Sequence, residues 1–205
     1  DEAIASERGG EASASASAPA PRRSAGLGTA YGETRSSQVR QVAFVRQGAS
    51  PDAVLQLRYN DPDGIADLSA WRTGQVNPPP AAAAYGALRI ALLDDRGDVL
   101  PAVDVAGQTY AVGQSGARYR IGVANDTPAR YEVVAAVDGL DVLDGQEASF
   151  AKRGYVVDPY TSFVIEGWRT SDDTVAAFRF SEAQESYAAR TGKPRSIGVI
   201  GVAFF

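Results

Sequence analysis

The chain has 205 residues, 44% of them hydrophobic, with a formal net charge of −5 and no cysteine, histidine or methionine. This composition is typical of a globular domain, and it excludes a disulfide framework, thiol catalysis, a Ser-His-Asp triad and histidine-ligated metal sites. The acidic balance and the lack of a basic stripe also argue against nucleic-acid binding.

The first 26 residues form a low-complexity segment rich in Ala, Ser and Pro, which we call the N-terminal arm (residues 1–26). Its only large apolar residue is Ile4, so the arm has too little apolar area to fold by itself. If the arm is extended, one face consists of small side chains, at Ala12, Ala14, Ala16 and Ala18. We expect these residues and Ile4 to form a subunit contact by adding a strand or polyproline segment to a neighbouring copy, which gives a homo-oligomer or polymer. The open alternatives are packing on its own domain and a flexible, O-glycosylated stalk.

Short apolar-alternating runs separated by turn residues predict a single β domain over residues 27–205. The predicted strands cover, in chain order, 38–47, 53–59, 87–93, 99–105, 119–123, 131–137, 163–168, 175–180 and 197–205. About eight to ten strands at this spacing indicate an all-β sandwich or jelly roll. The "NDTPAR" turn predicts a hairpin over residues 119–137. The Pro-rich segment over residues 77–86 predicts a loop.

One short helix is expected over residues 182–190. Ser181 and Gln184 have the spacing of a capping box, and Arg190 lies near the C-terminal end of the helix. Gly192 can adopt the left-handed conformation that is common just after a helix ends. The domain is therefore predicted to be all-β with one short helix and an extended N-terminal arm.

The stretch "NDPDGIAD" is the candidate metal site. Asp61, Asp63 and Asp67 supply closely spaced hard oxygens around a tight Gly turn, which is what calcium prefers. Tyr59 stands where the first ligand of a short calcium loop belongs, and Pro62 stiffens the segment. The alternative is an Asx-type turn between strands, and apart from this calcium candidate no cofactor is expected.

Aromatic residues are the candidate ligand-binding residues. The flat rings of Trp71 and Trp168 would suit the apolar face of a sugar, although packing of the sandwich or its corners is the stronger interpretation of such rings. No pair of carboxylates stands out for glycoside hydrolysis, so no catalytic residue is assigned and we expect the protein not to be an enzyme.

Two short motifs lie in predicted turns. The "RGD" tripeptide over Arg96–Asp98 matches an integrin-recognition sequence, but "DDRGD" already makes sense as a hairpin turn. Asn125 begins an "NDT" glycosylation sequon, which we expect on a surface turn.

The last ten residues, "SIGVIGVAFF", are the most apolar stretch. Both faces of this strand are hydrophobic, so we expect it to be central in a sheet or covered, because an open edge of this kind aggregates. Gly198 and Gly201 would permit close backbone approach.

Several segments of the C-terminal part carry a resemblance: "YEVVAAVDGLDVLDG", "RGYVVDPY", "IEGWRTSDDTVAAFRFS" and "SYAARTG…SIGVIGVAFF". Over residues 119–205 the chain resembles a group of exported bacterial β-rich proteins. The resemblance implies export and a β domain, and it carries over no activity and no catalytic residue.

Function is expected to be structural. The chain begins at Asp1 without an apolar run near the roughly 20 residues that span a bilayer, so we expect a mature exported protein, extracellular or at the cell surface, with no membrane span. The favoured hypothesis is a non-enzymatic, self-assembling surface or extracellular filament subunit whose arm contacts a neighbour. The alternative is a monomeric cell-surface carbohydrate-binding module, and a two-carboxylate hydrolase is a distant third.

Overall fold

A computed structural model describes residues 26–69, 80–193 and 196–205, and it consists mainly of β-strands in two sheets. The strands are, in chain order, β1 Leu27–Ser36, β2 Ala53–Asn60, β3 Ala82–Tyr85, β4 Leu88–Leu93, β5 Ala102–Val105, β6 Gln108–Val112, β7 Arg118–Asn125, β8 Tyr131–Val137, β9 Leu140–Asp141, β10 Tyr155–Val157, β11 Thr161–Ile165, β12 Gly167–Arg169, β13 Thr174–Glu182 and β14 Val199–Phe204. The predicted all-β, sandwich-like fold is confirmed.

The first sheet has the strand order β1-β13-β7-β4-β3. Strands β11 and β12 fill the space where β7 and β13 diverge, because β11 pairs with β7 and β12 pairs with β13. Glu166 lies between these two short strands, so one continuous segment closes the sheet. All pairs in this sheet are antiparallel.

The second sheet has the order β10-β8-β14-β2-β6-β5, with β9 paired to β8. Strand β14 is hydrogen-bonded to β8 on one side and β2 on the other, so the apolar C-terminal strand is central, as predicted. Gly198, just before it, has φ +80 and lies against the backbone, whereas a Cβ at Gly201 would meet nothing within 4 Å. The expectation of close approach therefore holds only for Gly198.

The core lies between the sheets and is built from alternating side chains. In β2, Leu55, Leu57 and Tyr59 are buried, while Val54 and Gln56 are exposed. Aromatic rings fill the centre, where Tyr119 stacks on Phe180 with ring centroids 4.4 Å apart. Period-two alternation thus produces the buried face that the sequence predicts.

Three local predictions are wrong. Residues 38–47 form no strand. The backbone N–H groups of residues 37 and 39 donate to carbonyl oxygens of the 172–173 turn, and the side chain of Arg46 donates to Glu132. Strands β7 and β8 are not a hairpin, because they belong to different sheets and the chain crosses the sandwich between them. The expected loop over residues 77–86 includes strand β3, which pairs with β4.

The helices are short. The helix expected over residues 182–190 consists of a 3₁₀ turn, Ala183–Glu185, and helix α2, Tyr187–Arg190. Ser186 caps α2 by accepting a bond from Ala189 N at 3.1 Å, whereas the predicted cap, Ser181, lies in β13. A further helix, Pro62–Ser69, follows β2 and precedes α2 in the chain; we call it the Pro62 helix.

Candidate functional site

Charged side chains cluster on the outer face of the first sheet, around an open groove of about 520 Å³ and a smaller depression beside it. We call this cluster the arginine groove. Its five arginines are Arg35, Arg96, Arg118, Arg120 and Arg179, and its four carboxylates are Glu33, Asp94, Asp95 and Glu166. The groove therefore has one positive charge in excess, in a chain whose formal net charge is −5.

Ion pairs hold most of this cluster in place. Arg118 contacts Asp95 at 2.6 Å and Glu33 at 3.2 Å, and Arg179 contacts the other oxygen of Glu33 at 2.8 Å. Burial acts to raise the pKa of Glu33, but hydrogen bonds from its own backbone N–H and from Arg179 outweigh it and hold the pKa below its ordinary value. Glu33 is thus a fixed anion between two cations.

Two guanidinium groups are left over. Within the part of the chain that the structure describes, the side chains of Arg35 and Arg96 form no hydrogen bond or ion pair, yet both line the groove. Arg120, by contrast, donates to the carbonyl oxygen of Asp94 at 2.8 Å. Arg35 and Arg96 are the groups of this cluster that remain free to bind an anion.

A rigid turn positions Arg96. The Asp94 carboxylate accepts bonds from the backbone N–H groups of Arg96 at 2.8 Å and Asp98 at 3.0 Å, and Gly97 has φ +94. The predicted "DDRGD" turn is confirmed. Arg96, in this turn, forms part of the wall of the arginine groove.

A second feature is the open edge of β3. Among the residues that the structure describes, Ala82–Tyr85 pair only with β4, and they include no charged side chain. The N–H of Leu92 donates to the carbonyl oxygen of Ala81 at 2.9 Å, so every second residue of β4, counted from Leu92, directs its backbone N–H and C=O toward β3. Arg89 lies between two such residues, and its backbone groups therefore point toward β7. Ala84, which lies opposite Arg89, therefore directs its backbone N–H and C=O away from the sheet. This edge lacks the charges that normally protect an edge strand.

The opposite edge of the same sheet is protected by side chains. In β1, the N–H of Leu27 donates to Asn60 Oδ1 at 3.0 Å, and the N–H of Thr29 donates to Asp138 Oδ2 at 2.7 Å. Both acceptors belong to the second sheet or the turn after β8. The N-terminal half of β1 is thus closed to an added strand.

Asp138 is the centre of a buried hydrogen-bond network. Its Oδ1 accepts bonds from the Tyr59 hydroxyl at 2.5 Å and Gly198 N at 2.9 Å. The Thr29 hydroxyl bonds to the Tyr59 hydroxyl at 2.7 Å and to the Tyr119 hydroxyl at 2.6 Å. Asp138 is 1% exposed and Thr29 is 0% exposed, so this network links the two sheets and has no access to solvent.

The electrostatics of this network follow from burial. Burial raises the pKa of Asp138 to about 6, although bonds from Tyr59 and from the N–H groups of Thr29 and Gly198 lower it. Burial, followed by the charge of Asp138, raises the pKa of Tyr59 and Tyr119 well above its usual range. Every oxygen of the network has a partner, which is what a stabilising buried network requires.

The structure places the calcium candidates on a helix. Asp61 precedes the Pro62 helix and caps it by accepting a bond from Gly64 N at 2.5 Å, Asp63 lies in the first turn, and Asp67 is exposed. Residues 26–69, 80–193 and 196–205 hold no group of three or more acidic side chains close enough to bind a metal ion. The expected loop of converging carboxylates is not formed, because Asp61 caps the helix while Asp63 and Asp67, four residues apart, share an exposed helix face.

The sugar-binding candidates are not available as a pair. Trp168 is 1% exposed and packs against Tyr31, Phe178 and Tyr187, so it offers no free ring face to a ligand. Trp71 lies outside the residues that the structure describes. The expected arm contacts also lie outside them, namely Ile4, Ala12, Ala14, Ala16 and Ala18.

Asn125 is not on the surface, contrary to expectation. It is 0% exposed, and its amide donates to the carbonyl oxygens of Ala129 at 2.7 Å and Asp158 at 3.0 Å. Its Oδ1 accepts bonds from Thr127 N and Oγ1. Asn125 holds the crossover from β7 to β8, and its amide nitrogen is not accessible for glycosylation.

Sequence reasoning did not identify the arginine groove. A usable signal is present in β7, where Arg118 and Arg120 alternate with the buried residues Tyr119 and Ile121 and must therefore face outward together. No alternation within one strand indicates that Arg179, on a neighbouring strand, lies beside them.

No family model, curated protein or solved structure matches this chain. None of the described helices is long and apolar enough to cross a bilayer.

Proposed function

We propose that this chain is a non-enzymatic, exported structural protein that assembles with copies of itself at a surface or in an extracellular filament. In this proposal the N-terminal arm of one copy, through residues 12–18, adds to the sheet of its neighbour. The proposal rests on one observation: in the described chain the outer edge of β3 has no hydrogen-bonded neighbour and no charged side chain.

The two edges of the first sheet differ in a way that supports this role. Side chains of Asn60 and Asp138 bond to the outward N–H groups of β1, whereas Ala84 of β3 has an outward N–H group with no partner in the described chain. Natural sheets usually protect such an edge with charge, proline or a cover. An unprotected edge is a ready site for β-augmentation.

The arm has the composition that this edge can accept. Strand addition depends on backbone hydrogen bonds, and small alternating Ala and Ser side chains meet little steric resistance beside the alanines of β3. A contact from the arm of one copy to the edge of the next is head-to-tail, so it propagates unless the assembly closes into a ring.

The test compares two substitutions at one position. Ala84→Pro removes the outward N–H group without removing a bond between β3 and β4, while Ala84→Val keeps that group and adds bulk. Sedimentation velocity and electron microscopy should show assembly for the wild type and Ala84→Val, and monomers for Ala84→Pro.

Removal of residues 1–25 should abolish assembly in the same way, while circular dichroism reports whether the β domain remains folded. Assembly that survives this removal in folded protein would end the proposal. If assembly is lost when the arm is removed but is retained in Ala84→Pro, the arm is required for assembly and β3 is excluded as the edge that receives it.

A further inference from the structure

We propose that the arginine groove binds the acidic segment of the arm, residues 1–11, of a neighbouring copy. This inference rests on the proposed function and names a second receiving surface for the same arm. It identifies the ligand chemistry as a peptide with several carboxylates.

The charges of the two partners are complementary. Residues 1–11 contain Asp1, Glu2, Glu7 and Glu11 but only one arginine, Arg8, so their side chains have a net charge of −3. The groove has a positive excess of one, and within the described chain the guanidinium groups of Arg35 and Arg96 form no hydrogen bond or ion pair, although Arg96 lies within electrostatic range of Asp94. Guanidinium binds carboxylate in a planar, two-bond geometry that makes this pairing strong and directional.

The groove is also preorganised for such a ligand. Ion pairs fix Arg118 and Arg179 around Glu33, and the capped turn at Asp94 fixes the backbone of Arg96. A peptide carboxylate therefore meets donors on a rigid strand-and-turn frame, which reduces the entropy lost on binding.

The topology places one end of the groove, the Asp94–Asp98 turn, near the start of β3, and the groove runs from there across the sheet to Arg35 on β1. Ala82, at the start of β3, lies opposite Ala91 near the end of β4, and the Asp94–Asp98 turn follows that end directly. If residues 12–18 lie along β3 and run parallel to it, the preceding residues 1–11 leave at the end of the sheet where this turn lies. An antiparallel arm would direct them away, so the inference fixes the direction of the added strand.

A neighbouring copy is the favoured source of the arm. The chain's own arm leaves from Gly26 at β1, on the opposite edge of the five-strand path that ends at β3. A strand added outside β3 lies five interstrand spacings, about 24 Å, from β1, and residues 19–25 span only about 23 Å when fully extended. Pro19 and Pro21 limit the path of this connection further.

The direct test uses a synthetic peptide of residues 1–18 titrated into the full-length protein by calorimetry. Binding should weaken about tenfold or more in Arg35→Glu/Arg96→Glu, and also as salt rises from about 0.05 to 0.5 M. A peptide in which Asp1, Glu2 and Glu7 are replaced by Lys should show the reverse preference and bind the double variant better than the wild type.

The matched control is Arg40→Glu, which makes the same charge change at an exposed residue outside the groove. It should bind the peptide like the wild type. If the double Glu variant does not fold, Arg35→Ala/Arg96→Ala replaces it, since neither side chain forms an ion pair that the fold depends on.

Equal affinity of the wild type and the double variant for the peptide would overturn the inference, as would a lack of reversal with the Lys peptide. Peptide affinity that is unchanged while binding of polygalacturonate is lost would assign the groove to an acidic polysaccharide instead. The proposed function fails separately: if the peptide binds the groove but the full chain stays monomeric, self-assembly is refuted and the groove is assigned to the arm of its own chain instead of a neighbour's.

Discussion

The carboxylate of Asp138 accepts a hydrogen bond from the backbone N–H of Thr29 at 2.7 Å, although the two residues are 109 positions apart in the chain. This bond joins the first strand of one sheet to a turn of the other and protects the edge of β1. A carboxyl group so deeply buried makes the stability of the fold sensitive to pH.

The first prediction concerns that sensitivity. Unfolded Asp ionises near pH 3.8, whereas Asp138 has a folded-state pKa of about 6. Between these values the folded protein keeps a proton that the unfolded chain has released, so the contribution of Asp138 to stability falls as pH rises. The loss amounts to about 2 kcal/mol between pH 4 and pH 7.

Urea denaturation of the wild type and Asp138→Asn at several pH values measures this effect. The stability of the wild type relative to Asp138→Asn should fall by about 2 kcal/mol from pH 4 to pH 7, because only the wild type titrates at this position. Tyr59→Phe removes a bond that lowers the pKa of Asp138, so it should move the midpoint of this change to higher pH. Parallel pH profiles for wild type and Asp138→Asn would contradict the prediction.

The fold class was predictable because alternation reports directly on burial. In β2 and β14 the apolar pattern alone identifies the strand, and the absence of any polar face in β14 also predicts its central place. Alternation does not reveal which sheet a strand joins. Both β7 and β8 carry buried apolar residues, and only the buried amide of Asn125 marks the crossover between them.

The second prediction concerns Gly167, where β12 begins. A Cβ atom at this position would lie 2.1 Å from the carbonyl oxygen of Ala176, a backbone atom that cannot move without disturbing β13. We expect Gly167→Ala to destabilise the protein by about 3 kcal/mol or more.

Gly201→Ala is the matched control, because it makes the same change in a strand but places the Cβ in open space. It should be neutral or stabilise by up to about 1 kcal/mol. Thermal melts of both variants decide the matter, and similar melting temperatures for the two would contradict the close approach at Gly167.

The third prediction concerns Asn125. Because its amide donates to two buried carbonyl oxygens, Asn125→Asp places carboxylate oxygens against them and should cost about 2–3 kcal/mol or more. Asn125→Ala removes the same bonds without adding charge and should cost less than Asn125→Asp. Chemical denaturation at pH 7 ranks the two variants, and a more stable Asn125→Asp would argue against this geometry.

The same geometry bears on the sequon. Folded protein secreted from a host that glycosylates Asn-X-Thr sites should carry no glycan at Asn125, as intact mass measures. A fully occupied site in folded protein would show that the crossover differs from the structure.

The candidate site was only partly predictable. The turn around Gly97 follows from its sequence, and the outward direction of Arg118 follows from alternation. That the turn and Arg118 line the same groove depends on the strand order, which the sequence pattern does not reveal. The Pro62 helix was missed because Gly64 makes "DPDG" resemble a turn. Asp before Pro at a first helical position is the signal that favours the helix, and burial of Ile65 at 5% exposure supports it.

The fourth prediction concerns Arg46, which anchors a segment with few other attachments. Its Nε contacts Glu132 Oε2 at 2.5 Å, its other nitrogens donate to the carbonyl oxygens of Phe150 and Lys152, and its guanidinium lies 3.7 Å from the ring centroid of Phe205. Between the bonds of Val39 and Asp52, residues 40–51 have no backbone hydrogen bond to other backbone groups of the described chain. Arg46 therefore supplies the hydrogen bonds that hold this segment to the second sheet, beside half-buried Phe44, which lines a depression with Tyr131 and Phe205.

Arg46→Ala should destabilise the protein by about 2–3 kcal/mol, because it also leaves the carboxylate of Glu132 partly buried without its cation. Arg46→Lys keeps the charge but loses the forked donors, so it should recover only part of that stability. Limited trypsin digestion should cleave both variants faster at Arg40 than the wild type, since the released segment becomes accessible. Arg58→Lys, a conservative change at an arginine of β2, is the control and should leave the rate at Arg40 unchanged. Equal cleavage rates in the wild type and Arg46→Ala would show that the segment is held by other contacts.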